Sequence, residues 1–183
     1  GRASTANVDG SIASAGVGDD TPSSRLRFSN IHYFAAAATM YGTLVKGGYQ
    51  YAGKTYDGKF AHVDGYAECS DCHNPHSLEI RTERCDTCHG NVKGQADLKN
   101  IRYIGSMTDY DGDGNMSEGI YYEIEGFKAT LYSAILAYAA NVVGVPIGYD
   151  SHSYPSFFTD ATANGVIHPP QANYDDRYPH FTP

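Results

Sequence analysis

The sequence has no tryptophan, no apolar run near the roughly 20 residues that a membrane span needs, and no cluster of basic residues. Each absence removes a class of protein. Without a long apolar stretch no membrane-spanning helix is expected. The thirteen Lys and Arg are scattered and the net charge is −8, so no surface is basic enough to hold a phosphate backbone, and nucleic acid is not an expected partner. Gly1-Arg2-Ala3-Ser4 lacks the charged and apolar regions of a signal peptide, as expected of a processed, mature terminus. Aliphatic bulk is also modest. Sixteen Tyr and twenty Gly suit a loop-rich chain in which something other than an aliphatic core does the organising.

Cysteine is scarce too, but its placement is informative. All four fall in two copies of one pattern, Cys69-Ser70-Asp71-Cys72-His73 and Cys85-Asp86-Thr87-Cys88-His89. This is the attachment signature of c-type haem. Two thiols at that spacing meet the two vinyl groups of a porphyrin, and the following His reaches the iron as an axial ligand. Other chemistries use the same residues less completely. A thioredoxin-like CxxC leaves the His unexplained and has no reason to occur twice so closely. A zinc ribbon would use the same Cys pairs, usually separated by about 12–20 residues, and the twelve residues between Cys72 and Cys85 fall at the short end of that range. Disulfides and free thiols are the plainest alternatives.

Each iron has a second axial position, and the candidates are His32, His62, His76, His152, His168, His180 or a Met. With only Met40, Met107 and Met116 present, paired histidines are favoured, which implies low reduction potentials. His32 starts the Ala-rich segment 31–41, where Ala35 and Ala36 leave a flat face against which a porphyrin fits. His62, flanked by apolar residues shortly before Cys69, is placed to bend back over the first haem. His76 follows His73 too closely to bind the opposite face of the same iron, so as a ligand it would serve the other haem; otherwise it is a solvated turn residue. His152, His168 and His180 read as surface residues.

Residues 1–24, rich in Ser, Gly, Ala, Thr and Asp, read as an extended arm or a disordered tail. Ser29-Asn30 offers an N-cap to a helix over 31–41, with Gly42 as its stop. A hairpin is plausible between Gly47 and Val63. The longest helical pattern runs from about Glu118 to Val143, with Ile120, Ile124, Phe127, Leu131, Ile135, Leu136 and Tyr138 forming one stripe expected to be buried. Residues 147–183 combine prolines with interleaved Tyr and Phe, which predicts an irregular tail packed on its own domain or on a neighbouring subunit. The expected domain between arm and tail is 25–146. The fold class is mainly α with much irregular structure, a small haem-organised core, one long helix in the C-terminal half and little β.

Asp109-Tyr110-Asp111-Gly112-Asp113-Gly114-Asn115-Met116-Ser117 sets carboxylates at positions 1, 3 and 5 and Gly at position 6 of an EF-hand-like loop. Asn115 and Ser117 continue the alternation. Position 12, ordinarily a bidentate Glu, is Ile120, so Glu118 or Glu123 must substitute. The loop reads as a calcium site, against an Asp/Gly turn that caps the helix. Asp160 to Gly165 repeats the spacing with one carboxylate and is expected to bind nothing.

The doubled motif, with His73-Asn74-Pro75-His76 inside it, resembles the paired CxxCH modules of multihaem c-type cytochromes of metal-reducing bacteria. The stretch from Asn30-Ile31-His32 through Gly65, the Asp-rich loop and the following helix are also similar to their large extracellular members. The resemblance covers about two thirds of the chain, and only CxxCH is specific. It implies two bis-His, low-spin haems in close contact, electron transfer to redox partner proteins or extracellular acceptors, and polymerisation of the chain into a filament. Two haems is a departure, since those proteins usually carry four or more. Other classes stay open: a di-haem peroxidase with one open iron, a monomeric periplasmic shuttle, or a structural haem protein. Thioether attachment takes place outside the cytoplasm, so an extracellular or periplasmic location is expected.

Overall fold

The computed structural model describes residues 3–31, 35–59, 61–103, 105–154, 156–160 and 162–167. Its helices are α1 Thr5–Ala15, α2 Ala35–Tyr41, α3 Cys69–Cys72, α4 Thr82–His89 and α5 Ile120–Tyr138, and its one sheet pairs β1 Ile147–Tyr149 with β2 Phe157–Thr159. The chain is mainly helical with much irregular structure, one long helix and little β, as its sequence predicts. It divides into two compact units, residues 1–60 with 134–183 and residues 61–133. The division falls inside the single domain expected over 25–146.

In the first unit, residues 5–15 are helical where the composition predicts an arm. The helix ends at Gly16 in the left-handed region (φ 67°). Polar ties compensate for its weak apolar face. The backbone N–H of Gln50 donates to Thr5 Oγ1 (2.7 Å), Thr5 Oγ1 donates to the Gln50 carbonyl (3.0 Å), and the Tyr49 hydroxyl donates to Asp9 (3.0 Å). The hydrogen bond to Asp9 raises the Tyr49 hydroxyl above its ordinary value.

Helix α2 covers Ala35–Tyr41 of the segment expected to be helical, and His32 lies outside the described residues. Gly42 does not stop the chain's winding; a 3₁₀ turn continues to Val45. Only Gly fits at 42, because φ is 52° and a Cβ there would run into the Asp57 and Gly58 carbonyls. No strand forms among the described residues of 47–63, so the expected hairpin is absent there. The antiparallel pair lies instead in the presumed irregular tail, with Ile147 opposite Thr159 and Tyr149 opposite Phe157. Its Ile147 clusters with Ala139, both buried, with Ile135, Leu136, Val143 and Val145 packed around them, and its Phe158 is buried as well. Asp160 is buried and accepts from Thr162 N–H, Thr162 Oγ1 and Gly165 N–H, so it closes a turn.

Helix α5 has no proline and is rich in good helix formers. It passes through a π-helical turn at Ala139–Val143 and ends at Gly144. The predicted stripe is only half realised. Ile135 and Leu136 pack as expected, but Ile120, Ile124, Phe127 and Leu131 are 43 to 60 % exposed. The side of this half of the helix that the second unit buries carries Glu123 instead. Among the described residues of the second unit, Val92 is the only buried apolar side chain.

Candidate haem-attachment and cation sites

Both CxxCH motifs lie in the second unit, on short helices held by polar contacts. Asp71 accepts from the backbone N–H of Glu68 (2.8 Å), which fixes the entry of α3. The Arg81 N–H donates to the Cys72 carbonyl (2.8 Å), and His73 pairs with Ile80 in an isolated antiparallel bridge, so the chain returns directly to α4. On α4, Cys85, Cys88 and His89 stand at i, i+3 and i+4 and therefore share one face. That face presents two thiols and an imidazole together. Beyond it, Asp86 accepts from Val92 N–H (3.0 Å) and pairs with Lys93 Nζ (2.8 Å), an interaction that holds its carboxyl below the usual range.

None of the four cysteines is in a disulfide; Cys69 and Cys88 are exposed and Cys72 and Cys85 half-buried. The thiols are thus within reach of an external group. Burial pushes the Cys85 thiol up, and Cys72 and Glu83 add to the effect. A redox-active CxxC needs the opposite shift. Among the described residues no three cysteine or histidine ligand atoms come within 4.8 Å of one another. A porphyrin bridging two exposed thiols needs no such convergence.

Of the distal candidates, His62 comes near the motif residue His89, with ring centres 5.9 Å apart and planes inclined by 29°. The sequence expectation placed His62 over the first haem, but its neighbour belongs to the second motif. His76 is exposed in a turn capped by Asn74, whose side chain accepts the His76 N–H (2.9 Å). His152 is exposed beside Asp150. His32, His168 and His180 lie outside the described residues.

The acidic loop, also in the second unit, makes two overlapping carboxylate triads, Asp109–Asp111–Glu123 and Asp111–Asp113–Glu118, each with oxygens within 4.8 Å of one another. Successive turns use part of this oxygen supply. Asp109 accepts from Gly112 and Gly114, Asp113 from Asn115, and Asn115 from Ser117. Asn115 Nδ2 donates to Glu118 Oε2 (3.2 Å), while Glu118 Oε1 is buried and accepts no hydrogen bond. Hydrogen bonding by Gly114, against the opposing effect of burial, keeps the Asp109 carboxyl low. Burial and mutual repulsion raise Asp111 and Glu118. A cation held between these carboxylates would oppose that rise.

Sequence reasoning missed Arg102, which organises this loop. Its guanidinium pairs with Glu123 Oε1 (2.6 Å) and donates to the Glu118 (3.0 Å), Ser106 (3.2 Å) and Thr108 carbonyls. Glu123 Oε2 in turn accepts the N–H groups of Tyr110 (2.8 Å) and Asp111 (3.1 Å). The pairing with Arg102, against the opposing effect of burial, lowers the Glu123 carboxyl. Glu123 is therefore committed to Arg102 and to the backbone, which leaves Glu118 as the better substitute for the missing position 12. The only forecast available from the sequence was that one of the two must serve.

Gly126 admits Asp111 to this cluster, because a Cβ at 126 would collide with the Asp111 carboxylate. Ala at a helix position ordinarily stabilises by up to about 1 kcal/mol over Gly. If the loop is the calcium site its spacing predicts, Gly126→Ala is expected to remove most of the rise in melting temperature on adding calcium, with little change in chelator. Asp111→Ala, which takes a carboxylate from both triads, should abolish the rise. Thermal scans with and without calcium check both, since a bound ion stabilises only the folded form.

No protein-family model matches this chain, and neither does any curated protein or solved structure.

Proposed function

We propose that this chain is an electron-transfer protein, not an enzyme, that holds two c-type haems through Cys69, Cys72 and His73 and through Cys85, Cys88 and His89, beside a calcium-type loop at Asp109, Asp111, Asp113, Asn115, Ser117 and Glu118. The observation that carries the reading is the doubled CxxCH in a compact unit with Val92 as its only buried apolar side chain among the described residues. A unit that folds around so little aliphatic material is one in which a large flat apolar group supplies the core. When bound, each haem supplies a one-electron iron couple. The protein's part is to fix the porphyrins by thioethers, to set their potentials with imidazole and to order the intervening chain through Arg81 and Arg84. Arg84 sits over the Tyr66 ring (4.9 Å) and donates to the Asp71 carbonyl between the two motifs.

The same reading extends to assembly outside the cytoplasm, as a subunit of an extracellular filament or relay. Four large apolar side chains of α5, Ile120, Ile124, Phe127 and Leu131, are left for porphyrin or a neighbour to cover. The absorption spectrum of the secreted, haem-loaded chain tests the function. Six-coordinate low-spin bands in both oxidation states with no CO binding are expected. CO binding to one haem would instead mean an open iron, as a di-haem peroxidase requires. Light scattering tests assembly: a monodisperse monomer at high concentration in calcium would leave a shuttle rather than a filament.

A further inference from the structure

We infer that His62 is the second axial ligand of the iron whose first is His89, an assignment that rests on the di-haem reading above. Two imidazoles on opposite sides of one iron have ring centres roughly 6 Å apart, since each metal–nitrogen bond is about 2 Å and the ring centre lies about 1 Å beyond it. The His62 and His89 rings are 5.9 Å apart and inclined by 29°. Ordinary ring pairs also lie about 4.5–7 Å apart between centres. The His62–His89 separation is at the same time the one that a single intervening metal ion requires.

A second observation explains why His62 serves this haem and not the first. His62 meets the edge of Tyr66 (centres 6.3 Å, planes at 81°). Tyr66 is in turn fastened to α4, where the Arg84 guanidinium covers its ring (4.9 Å) and its hydroxyl donates to the Arg84 carbonyl (3.5 Å). The helix that carries Cys85, Cys88 and His89 thus also holds the residue that orients His62. Tyr66 is a positioning residue here; it touches His62, not the iron.

An ordinary aromatic contact between His62 and His89 is the competing explanation, and one substitution separates the two. His62→Phe keeps a ring at the position but cannot bind iron. In the full haem-loaded chain it is expected to turn about half of the haem high-spin and CO-reactive, with added imidazole restoring the low-spin bands. In a Cys85→Ala/Cys88→Ala background the same substitution should leave the remaining haem unchanged. An unaltered spectrum in the two-haem chain overturns the inference, as does a change to the haem that remains in the background variant. If His62→Phe does not accumulate, His62→Met serves: one haem turning His–Met or high-spin supports the assignment, and an unchanged bis-histidine spectrum overturns it. Failure of the di-haem reading is seen separately, as wild-type chain without covalent haem on a denaturing gel.

Discussion

Replacing Cys85 and Cys88 together by alanine is expected to reduce covalently bound haem from two to one and to cost the second unit much of its order. The first effect follows from the chemistry, because no other cysteine is left to form the second pair of thioethers. The second follows from burial. Val92 is the only buried apolar side chain of residues 61–133 among those described, so the unit has little aliphatic core of its own. At about 25 cal/mol per Å² of apolar surface removed from water, each ~100 Å² covered by porphyrin contributes about 2.5 kcal/mol, and none of this survives when the porphyrin is absent. Haem staining with intact mass gives the count, and circular dichroism gives the order. A variant that kept both haems would show that α4 is not an attachment site. One that lost a haem but kept wild-type helicity and melting temperature would show that porphyrin is not the core.

Breaking the Arg102–Glu123 pair is expected to have the next largest effect. Glu123 is fully buried and the Arg102 side chain is 10 % exposed, so Glu123→Ala leaves a nearly buried guanidinium without its countercharge and strands the N–H groups of Tyr110 and Asp111. Removal of one partner from such a pair destabilises far more than removal of both. The melting temperature should fall by about 10 °C or more. Arg102→Met with Glu123→Leu should recover part of that loss.

The pH dependence has a definite sign. The Glu123 carboxyl is lower in the folded chain than in the unfolded one, so its contribution is present above the unfolded value of about 4.3 and is lost as pH falls through the folded value. Melting curves in chelator should therefore show acid sensitivity in the wild type that is weaker in Glu123→Gln. A wild-type profile in that variant would assign the acid sensitivity to other carboxylates.

Local chemistry was legible in the sequence, and pairings across distance were not. The three-and-four spacing from Ile120 onward gave α5 and its end near Val143, and the alternation from Asp109 gave a loop that converges carboxylates. Helix α1 escaped notice because its residues are small; its ties run from Thr5 and Asp9 to Gln50 and Tyr49, which no local pattern reveals. The exposed half of the α5 stripe escaped for a related reason, since periodicity identifies a face but not what covers it. Arg102 and the His62–His89 approach depend on segments that meet only when the chain folds. Glu123 read in the sequence only as a spare calcium ligand; its burial, and with it the need for Arg102, appears only in the fold.

The missing side chain at Gly126 also bears on how this chain can change over time. Position 126 can acquire a side chain only if position 111 loses its carboxylate or turns away. The two sites are linked in one direction: related chains with a side chain at 126 should lack an aspartate converging at 111, whereas glycine at 126 tolerates either residue there. Drift in the first half of α5 is thus limited by a loop residue fifteen places earlier.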